Sequence, residues 1–106
     1  MTEAIGNFRL DRIVRDVVAR AVSAINPDRV WLFGSHARGT ATQASDVDLA
    51  FELPDAARDK WTSFVVDARD EVPALIDLDL IDLGDCDPQL ASEIITTGRM
   101  VYQRHP

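Results

Sequence analysis

Residues 30–51 read VWLFGSHARGTATQASDVDLAF, and two residue pairs within them decide the fold. The apolar run Val30-Trp31-Leu32-Phe33 stops at Gly34-Ser35. Ten residues later a second apolar run carries Asp46 and Asp48. A strand that ends on Gly-Ser turns with backbone N–H groups and a hydroxyl exposed, an arrangement that suits phosphate. Two Asp at i and i+2 of a strand share one face, roughly 6.5 Å apart, an arrangement that suits Mg²⁺.

Outward from this stretch the chain alternates helices and strands. Phe8 to Ile25 predicts a helix, because Leu10, Ile13, Val14, Val17, Val18, Ala21, Val22 and Ile25 recur at three- and four-residue spacing. Asn7 is placed to cap it, and Asn26-Pro27 ends it. Val30 to Phe33 shows no alternation, so both faces of this first strand should be covered. Gly34 to Gln43 is read as a turn, with a helical turn through residues 35–38 closed by Gly39. In the second strand, Asp46 to Leu53, Val47, Leu49 and Phe51 share one side and Asp46, Asp48 and Ala50 the other. Asp55 to Glu71 predicts a long helix capped by Asp55, with Ala57, Trp61, Phe64, Val65 and Ala68 inward and Pro73 marking its exit. Trp61 is read as a core anchor. Ile76 to Leu83 alternates cleanly, Asp77 and Asp79 against Leu78 and Leu80. Asp87-Pro88 opens a last helix with Leu90, Ile94 and Ile95 inward, Gly98 closes it, and residues 99–103 add an edge strand.

This order implies a single domain over 1–106 of the α/β (α+β) class: a small mixed sheet with helices packed mainly on one face. The other face should stay free of helices, because buried uncompensated carboxylates are costly. A chain of 106 residues has little room for a second domain or a deep cavity of its own, so a large substrate must lie on an open face or be completed by a partner.

Charge and composition exclude several classes. A net charge of −7 argues against direct nucleic-acid binding, which needs a basic footprint, but not against a nucleotide held through a metal. The single cysteine, Cys86, excludes an internal disulfide, and the first residues lack a signal-peptide layout. No apolar run approaches the roughly 20 residues that span a bilayer. A cytoplasmic protein is expected. Gly34 and Gly39 have the spacing of a P-loop, but Thr40-Ala41 stands where Lys-Ser/Thr belongs. There is no GxSxG, HExxH or CxxC, and Asp46-Val47-Asp48 lacks the rest of an EF-hand loop. His36 and His105 are too far apart in sequence to suggest a ligand pair.

What remains is a carboxylate cluster: Asp46, Asp48 and one Asp of the third strand, either Asp79 or Asp77. Such a cluster can hold two Mg²⁺ roughly 3.5–4 Å apart. With a phosphate-binding turn beside it, it fits in-line nucleotidyl transfer to a hydroxyl, with pyrophosphate leaving.

Gly34-Ser35, ten residues, then Asp46-x-Asp48 resembles the signature of the minimal nucleotidyltransferases, a branch of the DNA polymerase β superfamily. The local form GSHARGTATQASDVDLA is similar to the antitoxin members paired with a HEPN-domain toxin. The resemblance extends over nearly the whole chain and implies a nucleotidyltransferase fold. It implies that Gly34 and Ser35 bind the triphosphate, that Asp46 and Asp48 bind both metals, and that Asp79, in the run Asp79-Leu80-Ile81-Asp82, is the third carboxylate. Asp77 is its rival on the same face. Arg38 and Ser45 are placed to assist the phosphates. The implied activity is Mg²⁺-dependent transfer of AMP from ATP to a tyrosine hydroxyl of the HEPN-domain toxin, which silences it. The alternatives are a non-catalytic antitoxin that neutralises its partner by association, and a transferase acting on another acceptor.

Overall fold

The computed structural model describes residues 8–34, 47–72 and 76–104, with side chains from residue 12 onward. The first helix, α1 (Phe8–Ala24), buries Ile13, Val14, Val17 and Ala21 along its predicted stripe, whereas Val22 is exposed. Both Ile25 and Asn26 donate their N–H to the Ala21 carbonyl, at 2.8 and 2.9 Å. Asn26 does so at φ 45°, a left-handed conformation that asparagine tolerates and that ends the helix before the buried Pro27.

Four strands follow: β1 (Arg29–Phe33), β2 (Val47–Glu52), β3 (Leu78–Asp82) and β4 (Arg99–Gln103). They form one sheet in the order β3-β2-β1-β4. β1 pairs antiparallel with β2 and with β4, and β2 pairs parallel with β3. The sheet is therefore mixed. The parallel pair needs a crossover. A 3₁₀ segment (Asp55–Lys60) and α2 (Trp61–Glu71) supply it. The break at Lys60 corrects the expectation of one helix from Asp55. Asp55 makes no cap bond; its carboxylate lies 3.5 Å from Arg58.

α1 and α2 cover one face of the sheet. There Val30 and Leu32 of β1, Val47, Leu49 and Phe51 of β2 and Leu78 and Leu80 of β3 form the main core with Ala57, Phe64 and Ala68. Phe51 lies edge-on to both Trp61 and Phe64, ring centres 5.4 and 5.5 Å away, so Trp61 is a core anchor. The last helix, α3 (Pro88–Thr97), begins as expected, with the Gln89 N–H on the Asp87 carboxylate at 2.8 Å.

The second face is not free of helices. Ile94, Leu90 and Ala91 of α3 pack with Ala50, Trp31, Phe33 and Ile81. The reason lies in the unalternating run of β1: Trp31 and Phe33 are as apolar as Val30 and Leu32 and need their own cover. Ile95, expected inward, is exposed, because only one edge of α3 meets the sheet. No helix among the described residues is long and apolar enough to cross a membrane.

Candidate functional site

Alternation and register place the site. On β2, Asp48 is two residues before the fully buried Ala50 and shares its face. In the antiparallel ladder Asp48 pairs with Phe33, the last residue of β1. In the parallel ladder it pairs with Asp79. Phe33, Asp48 and Asp79 thus form one row across three strands on the α3 face, at the end where β1 gives way to Gly34. The next row is Trp31, Ala50 and Ile81, and α3 packs there. Asp48 is half-buried; Asp79, on an edge strand, is exposed.

Gly34 stands at the end of this row with φ 75°, a conformation that side chains rarely adopt. A Cβ built on it would overlap the Asp48 Oδ2 atom and lie 3.2 Å from its Cγ. The turn backbone and the Asp48 carboxylate are therefore in contact, an arrangement that only glycine allows. Sequence reading gave Gly34 a phosphate-binding role and missed this second one. No local signal carried it, because the contact depends on the register that sets Phe33, the residue before Gly34, opposite Asp48.

Of the remaining predicted residues, Ser35, Arg38, Ser45 and Asp46 lie outside the described residues, as do His36, His105, Asn7 and Pro73. Asp77 is exposed just before β3, and its carbonyl accepts the Val47 N–H at 2.9 Å. Its backbone thus fixes the β2–β3 register, and the ladder residue beside Asp48 is Asp79.

The strands that carry Asp48 and Asp79 lie about 4.8 Å apart along the ladder, a spacing at which two carboxylates could share a cation. Hard oxygen donors side by side at one end of the sheet suit Mg²⁺. Among the described residues no group of three or more His, Cys, Asp and Glu is arranged to hold a metal. Asp48 and Asp79 are two members of the predicted set, and Asp46 is outside the described residues.

Neither cavity described competes with this face. Both lie between α1 and α2, on the opposite side of the sheet. One, of about 50 Å³, is walled by Ile13, Val17, Ala68 and Val72 and spanned by the Arg20–Glu71 ion pair at 3.0 Å. The other, about 210 Å³, adjoins it along Arg20 and Ala68. Both are below the several hundred Å³ of a nucleotide-sized pocket.

Known proteins place this geometry in context. The family described as "Polymerase beta, Nucleotidyltransferase" matches residues 17–106. A protein adenylyltransferase MntA of Shewanella oneidensis is 30% identical over 77 residues, which cover 69% of this chain and 52% of that protein. The chain thus spans about half the length of that curated relative. A crystal structure of a toxin–antitoxin with AMP-PNP superposes with a TM-score of 0.61 at 25% identity, over 86% of this chain and 73% of the other. A Sulfolobus solfataricus protein assigned as a nucleotidyltransferase has a TM-score of 0.65 at 18% identity, over 98% of this chain and 89% of its own. That likeness is one of fold.

Proposed function

The chain belongs to the polymerase beta nucleotidyltransferase family, and from that premise we propose that it transfers AMP from ATP to a hydroxyl of a partner protein. The partner we infer is a HEPN-domain toxin, the acceptor its tyrosine, and the role that of an antitoxin. The observation that carries the reading is the row of Asp48 and Asp79 beside the Gly34 turn. A Shewanella oneidensis relative that is an adenylyltransferase, and a similar toxin–antitoxin structure holding AMP-PNP, favour AMP as the group transferred. The HEPN-domain partner and its tyrosine rest on the sequence resemblance.

In this reading Gly34 and Ser35 present backbone N–H groups and a hydroxyl to the triphosphate, with Arg38 and Ser45 assisting. Asp46, Asp48 and Asp79 would hold Mg²⁺, and the ion would supply neutralisation of the triphosphate charge and a more acidic acceptor hydroxyl. The acceptor oxygen forms a bond to the α-phosphorus, and the bond to the α,β-bridging oxygen breaks. Pyrophosphate leaves with that electron pair. The hydroxyl proton passes to the Asp79 carboxylate, which is exposed on the open side of the sheet where a protein acceptor can approach.

Incubation of the chain with labelled ATP, Mg²⁺ and the partner tests this. Label is expected on the partner, and Asp48→Asn should abolish it while the two proteins still associate. Unlabelled partner, together with full neutralisation of the toxin by Asp48→Asn, selects the non-catalytic antitoxin instead.

A further inference from the structure

The geometry points to Gly34 as the positioning residue of Asp48: its missing side chain is the space into which the Asp48 carboxylate fits. This rests on the reading of Asp48 as a metal ligand and adds a role for Gly34 distinct from phosphate binding.

Two independent features meet at this residue. The first is conformational: Gly34, next to the Phe33 that pairs with Asp48, has φ 75°, which glycine adopts without strain. The second is steric: a methyl group there overlaps Oδ2 and crowds Cγ and Cβ, at 3.2 and 3.5 Å. Asp48 cannot escape by sliding along the sheet. Its backbone is held between Phe33 and Asp79 in the central strand β2. Its neighbours Val47 and Leu49 are buried in the core. Only rotation of the carboxylate is available, and rotation changes which oxygen faces the open side. A methyl at residue 34 therefore disturbs the carboxylate, in addition to the strain that any side chain meets at φ 75°.

Thermal unfolding of the full chain, free of metal and nucleotide, tests the contact through four proteins: wild type, Gly34→Ala, Asp48→Ala and the double variant. Gly34→Ala should lower Tm in the wild-type background by at least about 5 °C more than it does in Asp48→Ala, where only the cost of φ remains. Equal losses in the two backgrounds overturn the inference. If Gly34→Ala alone does not fold, recovery of a folded double variant supports the inference, and failure of both overturns it.

Mn²⁺ titration, followed by its electron paramagnetic resonance signal, tests the consequence. Gly34→Ala should bind Mn²⁺ at least about tenfold more weakly, a change of 1.4 kcal/mol. Unaltered Mn²⁺ affinity overturns the positioning role. A wild-type chain that binds no Mn²⁺ counts against the proposed function, whereas the unfolding cycle still decides the Gly34–Asp48 contact.

Discussion

Asp79 and Asp82 lie on the same five-residue strand and have opposite surroundings. Asp82 faces the α2 side. Its carboxylate accepts Arg58 at 3.1 Å and the Gly84 N–H at 2.9 Å, and its side chain is 9% exposed. Asp79 points to the other face, is exposed, and has the carboxylate-bearing Asp48 as its ladder neighbour. A carboxylate that serves the fold comes with its own cation and N–H donor, because burial without them is costly. A carboxylate set beside another carboxylate costs stability in the free chain, and it is the arrangement a bound cation would use. The difference separates Asp82, which the DLID run alone does not distinguish, from the candidate site.

The contrast can be broken from either face. On the core face, Phe51→Ala should cost about 3–5 kcal/mol, since Phe51 is fully buried between Trp61 and Phe64. Chemical denaturation with an unchanged m-value would measure it. On the site face, Asp48→Asn should reduce transfer of labelled AMP roughly 10³-fold, as several kcal/mol of charge stabilisation are lost. Arg58→Ala should cost about 1 kcal/mol, less than a fully buried pair because Arg58 is 41% exposed. It should lower Tm by a few degrees without changing the transfer rate. The smallest effect sharpens the comparison most: Asp79→Asn should stabilise the metal-free chain by about 0.2–1 kcal/mol of relieved repulsion, while Asp82→Asn destabilises it. Added Mg²⁺ should raise the Tm of wild type and not of Asp79→Asn.

Much of the frame was legible in the residues. Period 3.6 in α1 and period 2 in β3 are local signals, as is the Asp87-Pro88 start of α3, and all appear where expected. The 3₁₀ segment at Asp55–Lys60 was not legible, because the apolar stripe through Ala57 and Trp61 is compatible with either helix geometry. The cover on the second face was half-legible. The unbroken run Val30 to Phe33 demanded it, while the carboxylates on β2 and β3 argued against it. The structure satisfies both by giving α3 the row of Trp31, Ala50 and Ile81 and leaving Asp48 and Asp79 in the row beyond.

The sequence by itself determined the alternation that puts Asp48 and Asp79 on faces opposite to Val47, Leu49, Leu78 and Leu80, because side-chain direction in a strand follows from the backbone alone. It also determined that a glycine ends β1. The tertiary structure decided which carboxylate of β3 stands beside Asp48 and that Gly34 makes room for its oxygen. Register between strands 30 residues apart in the chain depends on packing and ladder bonds such as Val47 N–H to Asp77 C=O, which no local pattern encodes.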